Sequence, residues 1–205
     1  MPQVKIYSED NPNEFEELTE LTAIQAALFK FNIKVEQWQT QSKLNPQAEQ
    51  EEILEAYEAD CRRIMQAHGF AAVDVISMHS GTQLAPDEVK KIRQKFLDEH
   101  RHADDEVRFF IDGQGLFCIH EAGKVVQILC TAGDFISVPA QTRHWFDMGE
   151  QANFKCIRFF GDEEGWVANY TGDKISDRFP KLEDADLSLR GVQSTTSQSH
   201  SELTV

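Results

Sequence analysis

The chain lacks closely spaced cysteines. Cys61, Cys118, Cys130 and Cys156 stand far apart with no C-x-x-C among them, so neither a thiolate zinc site nor a disulfide scaffold is indicated, and reduced thiols in a cytosol fit best. It also lacks basic runs: 35 acidic residues against 20 Lys and Arg give a formal charge of −15, which argues against nucleic acid or an anionic membrane as partner. No stretch approaches the ~18 consecutive apolar residues of a membrane span. The opening Met1 to Tyr7 runs at once into Glu9, Asp10 and Asn11, unlike a secretory signal. A soluble, cytoplasmic protein is expected. There is no recognisable Ser-His-Asp signature and no phosphate loop, since Gly113-Gln-Gly115 does not continue into a helical pattern.

What is present is a core. An apolar fraction of 40%, with 14 Phe among 205 residues, suits one globular domain. Residues 1–182 are expected to form it, and the polar stretch 183–205, including Gln193-Ser-Thr-Thr-Ser, a loose tail. Val4 and Ile6 predict a short strand. The spacing of Leu18, Leu21, Ile24 and Leu28 predicts a helix opening at Asn13 or Glu14, and Ile33 to Trp38 a β segment. Ile53, Tyr57, Cys61, Ile64 and Met65 predict one helix between Pro46 and Gly69, with Gly69 as its C-terminal cap. Pro86 to Leu97 predicts another, with Pro86, Asp87 and Glu88 in its first turn. From Ala71 onward the texture is short β-branched and aromatic runs: 73–78, 107–111, 116–120, 125–129, 135–138 and 154–160. Glycines at 113, 115, 123, 133, 149 and 161 punctuate them, which predicts an antiparallel barrel or sandwich.

The chemistry concentrates in His100-Arg-His102-Ala-Asp-Asp-Glu106. On an extended strand these three side chains fall in phase on one face. Chance gives only about 0.04 such patterns in a chain with seven His. Gly133-Asp-Phe-Ile-Ser-Val-Pro139-Ala-Gln-Thr-Arg-His144 supplies another turn, strand and exposed His. Imidazoles with a carboxylate and no thiolate suit Fe, Ni, Mn, Co or Zn. Other histidines have ordinary explanations: His120 as an edge residue, His68 as a helix C-terminal cation, His79 in a polar turn and His200 in the tail.

Glu106 with Gly113, and Gly133 with Pro139 and His144, resemble the two metal-binding motifs of the cupin superfamily, departing from them at Gln94, Gln141 and Met148. The longer strings Asp105-Glu-Val-Arg-Phe-Phe-Ile-Asp-Gly, Ile136-Ser-Val-Pro-Ala, His144-Trp-Phe-Asp-Met-Gly and Glu164-Gly-Trp-Val-Ala-Asn-Tyr-Thr-Gly resemble the acireductone dioxygenase family. The likeness runs to about Gly172. It implies a mainly β cupin jelly-roll barrel with N-terminal and flanking α-helices. It also implies one Fe²⁺ or Ni²⁺ per chain on His100, His102, Glu106 and His144, an acireductone and O₂ as substrates in methionine salvage, and a monomer. By the same resemblance Arg108 would stabilise a dianionic substrate, while Glu99 and Asp105 would serve metal loading and conformational relay. Both acids are equally compatible with a solvated surface. Arg158 is a second candidate for a substrate oxygen, and Phe96, Phe146 and Trp166 are candidates for packing the methylthio end. Two alternatives share these ligands: a cupin isomerase or decarboxylase that needs no O₂, and a non-enzymatic cupin that binds without turnover.

Overall fold

A computed structural model describes residues 1–41, 44, 45, 47–79, 85–161 and 167–185. In chain order its elements are β1 (Gln3–Ser8), β2 (Asn11–Leu18), α1 (Leu21–Phe29), β3 (Lys34–Gln37), α2 (Gln50–Ala56), α3 (Glu58–His68), β4 (Ala72–Met78) and α4 (Pro86–Leu97). Then follow β5 (His100–Arg101), β6 (Glu106–Glu121), β7 (Lys124–Thr131), β8 (Asp134–Val138), β9 (His144–Asp147), β10 (Phe154–Phe160), β11 (Asn169–Tyr170) and a 3-10 turn at Ile175–Arg178.

Every strand pairing is antiparallel, and two sheets share β6. Its first half, Glu106 to Gly113, lies between β8 and β10, with β3 and β4 beyond them. Its second half, Gln114 to Glu121, lies between β7 and β9 in the order β11-β5-β9-β6-β7-β1-β2. The two strands expected at 107–111 and 116–120 are therefore one strand of 16 residues that passes from sheet to sheet. The passage is at Gly113, where φ is +70° and a Cβ would fall 1.9 Å from the Asn153 carbonyl oxygen, so only glycine fits.

Because the sheets face each other, Phe110, Ile136 and Cys156 from one meet Phe117, Ile119, Val126, Ile128 and Phe146 from the other in a closed apolar interior. The alternate residues also find cover. Phe109, Phe135, Ile157 and Phe159 pack under Ile53, Tyr57, Cys61 and Ile64 of α2 and α3. Tyr7, Cys118, Leu129 and Trp145 pack under Ile175, Phe179 and Leu182. Burial on both faces explains the nearly continuous apolar runs of β6, β7 and β8.

Two expected elements differ. Residues 11–18 form a strand, because Phe15, Glu16 and Glu17 pair with Tyr7, Ile6 and Lys5; the ladder outweighs the helical spacing, and α1 starts only at Leu21, burying Ile24 and Leu28. The single helix expected before Gly69 is two helices that meet at Tyr57, whose φ and ψ of −112° and 17° leave the helical region. Its buried hydroxyl accepts the Gln41 amide at 2.8 Å and its ring meets Phe109 edge-on. Gly69 caps α3 at φ 73° and α4 spans Pro86 to Leu97, both as expected. Pro46 lies outside the described residues.

Asp147 fastens α4 and the C-terminal segment to the barrel. Buried on β9, it accepts hydrogen bonds from Arg93 Nε (2.8 Å) and Nη2 (3.0 Å), Gly149 N (2.9 Å) and Leu182 N (2.9 Å). Arg93 also reaches Glu183 at 2.8 Å. Burial alone would raise the Asp147 pKa, but the Arg93 guanidinium and the two amides outweigh it and hold the carboxyl below its ordinary value. Asp147→Ala is expected to cost about 3–5 kcal/mol of stability at pH 7, since it leaves Arg93 without its buried partner. A depressed pKa contributes stability above the unfolded-state value of about 3.9, and that contribution is lost as pH falls through the lower folded value. Urea unfolding of both proteins from pH 7 downward should show the gap closing in that window; a gap constant to pH 2 would contradict the ion pair.

Candidate metal centre

The four ligand candidates come from three places in the fold. His100 on β5 sits directly opposite His144 on β9. His102 lies just past β5, and Glu106 opens β6 opposite Val138. The segment 100–106 is not one extended strand, as the spacing predicts. It breaks after Arg101, and a turn brings Glu106 back beside His102. Two bonds hold that turn against the loop before His144: Gln141 N donates to the His102 carbonyl (2.9 Å) and Ala140 N to the Asp105 carboxylate (2.9 Å). Gln141, one of the departures from the second motif, adopts a left-handed φ of 64°.

Each imidazole is oriented by the main chain. His100 Nδ1 donates to the Asp98 carbonyl (2.7 Å), His102 Nδ1 to Val167 (3.1 Å) and His144 Nδ1 to Thr142 (2.8 Å). A carbonyl can only accept, so every Nδ1 carries a proton, and in the neutral ring Nε2 is left with the lone pair that can bind a metal. One ligand atom from each of the four residues lies within 4.8 Å of the others. His144 Nε2 and Glu106 Oε2 are 2.7 Å apart, yet both are buried without a hydrogen-bond partner. Buried polar atoms are normally satisfied, so these orphans fit a cation between them. Burial and the neighbouring His144 push the His100 pKa down to about 4. Burial would raise that of Glu106, but Arg108 and the imidazoles of His102 and His144 hold it well below the usual carboxylate range. A neutral imidazole and an ionised carboxylate are the forms that bind metal. His144 is buried rather than exposed.

Beside the cage lies a cavity of about 310 Å³, lined by the ligands His100, His102 and Glu106, by Arg108 and Arg158, and by an apolar wall that includes Ile76, Phe96, Phe110, Phe117, Phe146 and Phe154. Arg108 Nη2 contacts Glu106 Oε1 at 2.9 Å. Arg158 faces the same space, but its guanidinium is gripped on two sides by Asp74, at 2.8 and 2.5 Å. Phe96 meets Phe146 edge-on at 6.1 Å. Trp166 lies outside the described residues.

Glu99 and Asp105 are not a pair of solvated acids. Glu99 is buried and accepts His120 Nδ1–H at 2.6 Å and the Thr171 hydroxyl at 2.7 Å. His120, expected at an edge, is buried between Glu99 and Glu9, the latter 2.9 Å from Nε2. Asp105 binds the Ala140 amide and lies 3.8 Å from His68, which stacks on Phe70. Sequence reasoning missed Tyr170, which lines the cavity 5.9 Å from His100. It also missed the three carbonyls that orient the rings. Only the string around Tyr170 offered a signal.

A closed antiparallel barrel with three imidazoles and one carboxylate converging beside an internal cavity is a metal-binding site of the cupin class. Residues 3–168 match the model of the ARD/ARD' family, and the chain belongs to that family, the acireductone dioxygenases. It is 46% identical to the acireductone dioxygenase of Alcanivorax borkumensis over 183 residues, 88% of this chain and 98% of that one. It is 47% identical over 189 residues to that of Synechococcus sp., covering 89% and 99% of the two chains. It is 45% identical over 186 residues to that of Aquifex aeolicus, covering 90% and 98%. Among solved structures it resembles the acireductone dioxygenase of Bacillus anthracis with a cadmium ion in its active centre, at a TM-score of 0.73 and 29% identity over 83% of this chain and 98% of that chain. No helix among the described residues is long and apolar enough to cross a membrane.

Proposed function

We propose that His100, His102, Glu106 and His144 hold one Fe²⁺ or Ni²⁺ ion, and that the acireductone 1,2-dihydroxy-3-keto-5-methylthiopentene is cleaved by O₂ in the adjoining cavity as a step of methionine salvage. The observation that carries this assignment is the sharing of Glu106: Oε2 faces His102 and His144, while Oε1 meets Arg108 on the cavity wall. Cage and substrate space are thus coupled through one carboxylate. When bound, the ion supplies Lewis-acid and redox chemistry at the substrate's oxygens and O₂. The chain supplies the rest. Arg108 offers a fixed cation that favours loss of the enediol's second proton and holds the resulting dianion. Phe96 and Phe146 pack the methylthio end, and the apolar wall keeps water from the reacting atoms. Arg158, braced by Asp74, is the second candidate for a substrate oxygen. Glu99 and Asp105 act as positioning residues, one tied to Thr171 just past β11 and the other to the loop before His144. Four free, buried cysteines accord with a cytoplasmic location.

In this proposal the ion decides the products. With Fe²⁺ they are formate and 4-methylthio-2-oxobutanoate; with Ni²⁺ they are carbon monoxide, formate and 3-methylthiopropanoate. Anaerobic loading with each ion, exposure to the acireductone and O₂, and product analysis test this. An iron form that retains its metal yet leaves the acireductone to its spontaneous oxidation rate would sink the assignment. Consumption of substrate without O₂ would favour an isomerase or decarboxylase.

A further inference from the structure

The floor of the cavity is shaped by a residue that has no side chain. Gly115 lies on β6 just past the passage between the sheets, in the alternation that turns Phe117 and Ile119 inward. A Cβ built there would stand 2.4 Å from Cζ and 2.5 Å from Cε2 of Phe146, and 3.3 Å from Phe110. Such separations are far inside van der Waals contact, so the Phe146 ring would have to move. It is already enclosed by Phe117 at 4.9 Å, Phe154 at 5.5 Å, Phe96 at 6.1 Å and Phe110 at 6.5 Å between ring centres. Its remaining open side is the cavity it lines. Displacement therefore takes space from the cavity at its apolar wall.

We propose that Gly115 is a specificity-determining residue: by leaving room for the Phe146 ring to lie back, it sets the length of acireductone side chain that the cavity accepts. This rests on the assignment of the cavity's apolar wall to the methylthio end. Gly115→Ala changes no ligand and no cavity cation. It subtracts space at one place.

The test compares two acireductones, the methylthio compound and one whose side chain is cut back to a methyl group, on iron-loaded protein. For Gly115→Ala the ratio of kcat/KM, long over short, is expected to fall at least about tenfold, as one methylene in an apolar pocket does. The loss should sit in KM of the long substrate, with iron still at one per chain. A second variant covers the case in which Gly115→Ala does not fold. Phe146→Leu in the otherwise native chain removes part of the ring that Gly115 accommodates, and is expected to lower KM for an acireductone lengthened by one methylene relative to the methylthio compound. The double variant Gly115→Ala, Phe146→Leu should regain the long substrate. Equal losses on both substrates, or an unchanged ratio, overturn the role of Gly115, and so does a Phe146→Leu protein with no gain on the longer side chain. Failure of the native protein on both acireductones would instead refute the assignment of the cavity.

Discussion

His102→Ala protein, purified and dialysed against a weak chelator, is expected to lose its metal and, with it, turnover. His102 is held by Val167 on one side and faces Glu106 Oε2 at 3.3 Å on the other, so the ring has one orientation and one free nitrogen. Removing a mere orienting partner of a ligand typically costs 10–100-fold in affinity, and losing the ligand itself should exceed about a hundredfold. Elemental analysis reads the loss directly. The fold should persist, because His102 lies in a turn outside the three apolar clusters, and circular dichroism checks that. Full metal occupancy in this variant would mean that the cage closes elsewhere.

Arg108→Ala should behave oppositely: metal retained, kcat down by about 10²–10³, the range for deleting one preorganised electrostatic partner of a transition state. The guanidinium touches Glu106 through Oε1, the oxygen turned away from the imidazoles, so its removal leaves the four ligand atoms in place. Parallel metal analysis and steady-state kinetics on the two variants separate the roles. Equal metal loss would reassign Arg108 from substrate to cage. Arg108→Lys should recover only part of the rate, since an ammonium keeps the charge but loses the planar fork.

The cluster of four ligand candidates was legible in the sequence because their chemistry is in their side chains, and the place of Arg108 on the cavity wall because strand alternation puts it in phase with Glu106. The path between them was not. Local spacing suggested a single strand from His100 to Glu106, whereas the chain turns after Arg101, a geometry fixed by Ala140 and Gln141 from a loop some 35 residues downstream. Residues 11–18 show the same limit: their helical spacing lost to the ladder with β1, a partner that local pattern does not reveal. His120 read as an edge residue because Glu9 and Glu99, its two partners, are distant in the chain. Glu99 and Asp105 were visible as acids, but only the fold shows which main-chain and side-chain groups they hold.

The three bonds that orient the imidazoles end on carbonyl oxygens of Asp98, Thr142 and Val167. Every amino acid carries that oxygen. The proton placement of the cage is therefore insulated from mutation at the very positions that enforce it: residues 98, 142 and 167 can change identity through evolutionary drift and still present the same acceptor. What selection must preserve there is the course of the backbone. A metal centre oriented by side-chain carboxylates has a larger mutational target, and this one can tolerate a changing surround while its ligands stay fixed.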